Sequence, residues 1–565
     1  MIEKLLALGA VLAVNAVLFY LIIRLRPPFA IAAFLVAYSV FSFFGPPVVR
    51  DYGVHQMLYS GLLYSAYADV FSAQNPYIAG YAITFPWLQY LVYGFIGETF
   101  DATPSEATRY VGYVGCLIVL ITLFALSKCL MQGRTRPLGI GVILALVGTS
   151  WVGPDVPMIG LDTPWNFRGL PAGSVFFAMP WAIGFPLSMA ALYCGLRFVS
   201  DRATHLWYVI AVLVLVAVAG LFYPFSWLGA SVVLGGVSIF NLAFGQRQRA
   251  LWLLSALVVA TLLVLPYFLS IRPETAVSST FAPRLNPIGV LSHFLLDYVF
   301  VLFPLIVMAV LNRKEILEDF RQGQPLAANL LAGALTVALV GSLVAFKEDT
   351  DYKIRVLGAI LLALVAGRYL AGLWPRRWPV VVVVIFVMTF WWSFEKYRHV
   401  HVSWEYTADL PKLDQRHFQI AFQDEADRDL YDWILAETPE AAVFFDNEDS
   451  IIPAMTQRRM FVAYAFTSPG FSLDMRDFLA RTCALGYESV DARIALARRL
   501  YAGPEMDPEP DMLLEALYAQ VDAPLFAVAR NPEDLAALAQ WPFAEVIYRN
   551  QDEAVFKLQR PETTP

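Results

Sequence analysis

An acidic residue just past an apolar run, with a histidine one helical turn later, is the most chemically suggestive arrangement in this chain. Arg50, Asp51 and His55 stand in PPVVRDYGVHQMLYSGLLYSAY, shortly after the apolar stretch 29–46. A carboxylate there lies at the depth of a lipid headgroup and can accept the proton of an attacking hydroxyl, with His55 beside it on the same helical face. The same residues also suit a structural role: Asp is favoured in a first helical turn, and His55 can hydrogen-bond to it as a pair. Two cations, Lys353 and Arg355, end a second polar segment, FKEDTDYKIR, at the mouth of an apolar run. At headgroup depth they can hold a lipid phosphate and stabilise the charge that grows on it as it leaves; they can equally pair with Glu348, Asp349 or Asp351 and anchor the helix. A third stretch, PDVPMIGLDTPWNFRGLPAGS, supplies Asp155, Asp162, Trp165, Asn166 and Arg168. Those types hold a sugar by stacking and hydrogen bonding, and they also populate any turn-rich loop. Arg272 and Arg284 flank a fourth loop, which either closes over a site or only connects.

The elements that position these loops are membrane spans. Of the 565 residues 58% are apolar or aromatic and 15% are charged, with a mean hydropathy of +0.57, values that place the chain outside ordinary soluble proteins. Apolar runs near 5–23, 29–46, 110–131, 137–153, 176–198, 206–222, 226–243, 250–269, 289–311, 326–345, 356–373 and 378–393 predict about twelve transmembrane helices. Lys and Arg recur in alternate connections: Arg24 and Arg26, Arg134 and Arg136, Arg202, Arg247 and Arg249, Arg313 with Lys314 and Arg321, Arg376 and Arg377. If these are cytoplasmic, the long first loop 47–109, the loops holding the candidates above, and everything after 393 lie outside. The first run has no small-residue cleavage site and is expected to stay as an anchor. Ile83 to Gly97 (ITFPWLQYLVYGFIG) is too short to cross and contains Pro86, so a helix along the membrane surface is predicted, with Trp87, Tyr90 and Tyr93 at headgroup depth. Tyr223, Pro224 and Phe225 mark a tight turn. Asp297 and Arg368 are the clear charges within spans, too few to suggest ion transport.

The organisation expected is a multi-pass membrane domain over 1–393, a linker at 394–425 and an exterior, soluble α/β domain over 426–565. Residues 394–565 carry 16 Lys or Arg against 30 Asp or Glu. An acidic tail on a basic, apolar body excludes nucleic acid as a partner. Within the tail, Asp427 to Ala436 predicts a helix, Ala441 to Phe445 a buried strand, 460–466 a second strand, 473–500 one or two helices, Leu525 to Ala529 a third strand, and Phe543 to Tyr548 with Ala554 to Leu558 a terminal hairpin. Strands alternating with helices imply α/β, and no glycine-rich phosphate loop follows any of them. Cys116, Cys129, Cys194 and Cys483 form neither a CxxC nor a disulfide framework, and no feature specifies a metal or other cofactor.

Taken whole, the first loop resembles that of the GT-C superfamily of polytopic glycosyltransferases: an acid after a helix, then Asn75, Pro76 and Tyr77, then the aromatic-rich FPWLQYLVYGFIG, then Arg109 opening a span. The resemblance implies that Asp51, the matching position, is a catalytic base, and that the donor is a sugar on polyprenyl phosphate or pyrophosphate. Asp51 follows the second apolar run here, where the superfamily usually places the acid after the first helix. Lys353 and Arg355 are similar to its late-loop basic residue, without the complete Arg, Tyr and downstream Pro pattern. WILAETPEAAVFF, followed by Arg458 and Arg459, is similar to the exterior domains that close many bacterial GT-C-like proteins. The implied reaction is inverting transfer at the outer face of a bacterial inner membrane, with membrane lipid as surroundings and an unspecified acceptor. A pyrophosphate donor would be compatible with a divalent ion. Two other readings remain: a transporter or flippase of a lipid-linked saccharide, for which Pro180, Pro186, Pro266 and Pro304 leave room, and a silent scaffold that binds a partner through its tail.

Overall fold

In the computed structural model of the chain the described residues are 61–67, 73–84, 87–102, 104–131, 181–201, 205–244, 246–270, 284–287, 306–321 apart from 308, 325–345, most of 354–380, 425–447, 452–464, 467–468, 471–472, 475–504, 510–551 and 553–560. They fall into two compact units. The first holds described residues of 109–266 and 284–380; the second holds those of 61–108, 267–270 and 425–560.

The first unit is helical. Among the described residues five helices contain segments long and apolar enough to cross a membrane: Tyr110–Leu130, Ile183–Ser200, Pro224–Ala243, Arg247–Leu269 and Leu326–Leu343. Two shorter apolar helices, Leu206–Phe222 and Ile360–Leu373, add to them. These segments coincide with expected spans; those near 5–23, 29–46 and 137–153, and most of those near 289–311 and 378–393, lie outside the described residues. With no hydrophobic force between helices in lipid, small residues and polar contacts set the packing. Gly236 and Gly333 let the helices Pro224–Ala243 and Pro325–Leu343 approach closely: a Cβ at Gly236 would overlap Thr336, and one at Gly333 would lie 2.8 Å from Val233. Deeper along the same pair Asn241 Nδ2 donates to Asn329 Oδ1 at 2.6 Å. The expected turn at Tyr223 is a single extended residue that ends one helix and starts the next, with Pro224 in the first turn, where its missing N–H costs nothing. Arg249 donates to the carbonyls of Val199 and Asp201, closing the C-terminal end of the helix Trp181–Ser200.

The second unit is built on a five-stranded sheet. In chain order its strands are β1 (Val443–Asp446), β2 (Arg459–Met460), β3 (Leu525–Ala529), β4 (Ala544–Arg549) and β5 (Ala554–Leu558), arranged spatially β2-β1-β3-β5-β4. β1 runs parallel to both β2 and β3; β5 is antiparallel to β3 and β4. β1 and β3 are buried at every position, as their unbroken apolar runs require, and Phe444 stacks on Phe526 across the register pair. The expected strand over 460–466 is shorter than its composition suggested: regular pairing stops after Met460, although Phe461 still donates to the Phe444 carbonyl. The helices Glu425–Glu437, Met475–Thr482 and Tyr487–Ala502 occupy the predicted places, whereas Pro510–Gln520 and Pro532–Leu538 were not anticipated.

Candidate functional site

Asp51, His55, Asp155, Asp162, Trp165, Arg168, Lys353 and Arg355 lie outside the described residues. The described surroundings are the rest of the first loop and the root of the loop that ends in Lys353 and Arg355. At that root Arg284–Leu285 pairs antiparallel with Val344–Ala345, which sets Arg284 opposite Ala345, and Asn286 N donates to the Leu343 carbonyl. The backbone of the fourth candidate loop is thereby tied to the start of the cationic one.

The first loop is ordered by the C-terminal tail. Residues 73–83 fold into a small hairpin closed by Asn75 N to Tyr81 O and Ile83 N to Ala73 O, with Gly80 at φ +85, a backbone that a Cβ would strain. One side of this hairpin lies along the outer edge of β2. Met460 N donates to Pro76 O at 2.7 Å, Ala79 N to Met460 O at 2.8 Å, and Ala463 N to Tyr77 O at 2.8 Å. An open parallel edge is an aggregation hazard unless covered, and here a segment almost 400 residues upstream covers it.

Side chains fasten the arrangement. Asn75, fully buried, donates from Nδ2 to Thr482 Oγ1 at 2.8 Å and to Cys483 Sγ at 3.1 Å, while its Oδ1 accepts from Tyr77 N. Tyr77 packs edge-on against Phe478, and Thr84 donates from both N and Oγ1 to the Thr482 carbonyl. Arg493 is 3% exposed; its Nη1 donates to Ala79 O at 2.6 Å and Phe461 O at 3.1 Å, and its Nη2 to Gln520 O at 3.1 Å. Its guanidinium lies over the rings of Tyr81 and Phe461. Burial lowers its pKa and the neighbouring Tyr81 opposes that shift. Upstream, Gly61 sits against Tyr77 and Pro453, so the chain ten residues after Asp51 is also pressed onto the tail.

The helix after the hairpin runs over Trp87–Phe100 and corrects the expectation for its aromatics. Tyr90 and Tyr93 are buried in protein, 1% and 0% exposed, rather than set at headgroup depth. Gln89, Tyr90, Tyr93, Gly94 and Gly97 form its buried stripe, and Gly97 meets the ring of Tyr67 where no Cβ would fit. Phe95, on the other side, and Phe100, at the C-terminal end of the helix, are exposed. Aromatics at helical spacing fit a packing face and an interface equally well, and here packing prevails.

Arg458 and Arg459 are also accounted for by structure. Arg458 donates to Leu435 O, Thr438 O and Thr438 Oγ1, holding the Thr-Pro turn after the helix Glu425–Glu437; Arg459 donates to Ala441 O. At the carboxyl ends of β1 and β3, Arg530 pairs with Asp446 at 2.8 Å and Glu553 at 2.7 Å and donates to the Tyr431 hydroxyl. Among the described residues no three His, Cys, Asp or Glu side chains group to hold a metal.

Cys483 gives the loop–tail junction a chemical reporter. Burial pushes its thiol up to about 12, against the opposing hydrogen bonds of Asn75 and Thr482 and the charge of Arg493. Since the thiolate is the reactive form, alkylation of Cys483 at pH 8 is expected to be on the order of a thousandfold slower than that of an ordinary exposed cysteine. Mass-spectrometric labelling of the peptide containing Cys483 checks this; rapid modification in the folded protein would contradict it.

Asn75, Pro76 and Tyr77 stood out in the sequence only as part of the first loop's resemblance, and nothing there named their partners. The signal for Arg493 lay in its helix: Val490, Arg493, Ala497 and Leu500 share a buried stripe, and an arginine in an otherwise apolar stripe marks a buried guanidinium that needs carbonyl partners.

A unit of helices long and apolar enough to span a membrane is joined to a mixed α/β unit that takes in described residues of the first long loop. ArnT from Cupriavidus metallidurans has this fold. Its apo structure matches with a TM-score of 0.53 at 14% identity, covering 94% of this chain and 99% of that one. Its structure bound to undecaprenyl phosphate matches with a TM-score of 0.55 at 14% identity over the same shares. No family model and no curated protein sequence matches the chain.

Proposed function

We propose that this protein is an inverting glycosyltransferase that moves a sugar from a polyprenyl-phosphate carrier to an acceptor at the outer face of a bacterial inner membrane. The observation that carries this reading is the fold shared over 94% of the chain with ArnT bound to undecaprenyl phosphate. In this reading the membrane unit crosses about twelve times and the α/β tail is periplasmic. Asp51 accepts the proton of the acceptor hydroxyl, whose oxygen bonds to the anomeric carbon as the bond from that carbon to the phosphate oxygen breaks. The leaving group departs as polyprenyl phosphate, its charge neutralised by Lys353 and Arg355. His55, Asp155, Asp162, Trp165 and Arg168 bind the substrate. A monophosphate leaving group held by two cations requires no metal.

The test supplies the purified protein with bacterial membrane lipid extract bearing labelled sugar and follows label leaving the lipid donor. Wild type is expected to transfer label and to bind undecaprenyl phosphate. The double variant Lys353→Met with Arg355→Met is expected to bind that lipid at least about tenfold more weakly, because two charge-assisted contacts are lost. No transfer and no lipid binding by wild type would overturn the proposal; undiminished binding by the double variant would remove the two cations from it.

A further inference from the structure

We propose that the C-terminal tail is a working part of the first loop, and that Arg493 is the positioning residue that holds this loop in its reactive conformation. The catalytic half of this statement rests on the transferase reading above; the clamp itself rests on geometry. Four independent attachments join the two segments: backbone pairing of 76–79 along β2, Asn75 onto Thr482 and Cys483, Thr84 onto the Thr482 carbonyl, and the Arg493 guanidinium bridging Ala79, Phe461 and Gln520. Arg493 differs from the rest in joining three separate pieces of chain, namely the hairpin, the segment after β2 and the end of the helix Pro510–Gln520. A buried cation whose Nη1 and Nη2 donate to carbonyls from three pieces fixes their spacing, since moving any one of them strands an N–H or a carbonyl away from water.

The hairpin in turn governs what precedes it. Tyr77 is fully buried and Gly61 lies against it, with Pro453 of the tail on the same glycine. Ser65 Oγ donates to the Gln74 carbonyl, linking the helical residues 61–67 to the hairpin. Gly61 stands ten residues after Asp51 in the sequence, so the anchored part of the loop begins ten residues from the candidate base. A displacement of about 1 Å at a reacting group is enough to cost roughly a hundredfold in rate.

The experiment uses the full chain in detergent or reconstituted membranes and reads two quantities. The first is alkylation of Cys483, whose thiol is covered by Asn75 and becomes accessible when the hairpin lifts. The second is the transfer rate, with the amount of lipid-linked donor varied so that kcat and KM separate. Arg493→Ala is expected to speed Cys483 labelling by at least about tenfold, through the loss of charge-assisted hydrogen bonds, and to lower kcat per folded molecule by roughly tenfold to a hundredfold with KM for the donor unchanged. Arg493→Lys, which keeps the charge and reaches fewer carbonyls, is expected to restore part of both.

A purely structural arginine would lower the yield of folded protein and leave kcat of the folded fraction alone. If Arg493→Ala does not fold, Gly80→Ala decides: it leaves every side chain of the tail in place and strains only the hairpin at φ +85. It is expected to change both readouts in the same direction by a smaller factor. Unchanged labelling would overturn the clamp, and faster labelling with wild-type kcat would overturn the positioning role. A wild type that transfers nothing would bring down the transferase reading and the positioning role with it, while Cys483 labelling would still report on the clamp.

Discussion

Replacing Asp51 by Asn is expected to slow sugar transfer by about a hundredfold to ten-thousandfold, the range that a positioned general base contributes. The amide has nearly the size and shape of the carboxylate but cannot take up the acceptor proton at neutral pH, so the protein should fold and bind its lipid donor as before. Matched folding is checked by the slow alkylation of Cys483, which reports on the same loop from its far end. Loss of transfer with the lipid still bound would support Asp51 as the base. Equal activity would remove it from the mechanism and shift attention to Asp155 and Asp162. The silent-scaffold reading predicts that Asp51→Asn is harmless, so this variant separates the two. Deleting residues 406–565 does not separate them, because the deletion also takes away the strand edge and the arginine that hold residues 76–79.

The second large effect concerns stability. Arg530 lies beside Asp446 and Glu553 with all three side chains at most 8% exposed, and Arg530→Ala leaves two carboxylates buried without their cation. Breaking a buried pair from one side typically costs about 3–5 kcal/mol, a large share of a domain's stability. The expected result is a marked drop in the denaturant concentration at which Cys483 becomes reactive in the full-length protein. Replacing the whole group, with Arg530→Met, Asp446→Leu and Glu553→Leu together, should recover most of the loss, because no charge is then left unpaired. A single variant as stable as wild type would contradict the account. The pair Arg476–Asp491, with both side chains 47% exposed, is worth far less and serves as a control.

Sequence periodicity located the spans because each is a local signal: some twenty apolar residues read the same wherever they occur. β3 and the terminal hairpin were legible for a similar reason, as short apolar runs bounded by turns. Tyr90 and Tyr93 were placed wrongly because an aromatic stripe does not say whether protein or headgroups cover it. The pairing of the hairpin with β2 was out of reach altogether. Edge pairing is made mostly by backbone groups, which every residue carries, so residues 76–79 hold no mark of the partner they choose. Arg493 came nearest to giving it away, through its place in a buried stripe. The candidate site residues of the sequence lie outside the described residues, and the described contacts that hold residues 75–84 join positions hundreds of residues apart.

That separation also has a consequence for how the protein comes into being. Asn75 and Thr482 are 407 residues apart, and ribosomes add about 5–20 residues per second, so roughly 20–80 s pass between the synthesis of the hairpin and that of its partner. Throughout that interval the membrane helices can insert, while the hairpin has no edge to join and β2 does not yet exist. Completion of the second unit therefore comes late in biogenesis, and a nascent chain interrupted before residue 459 would lack the edge that residues 76–79 join.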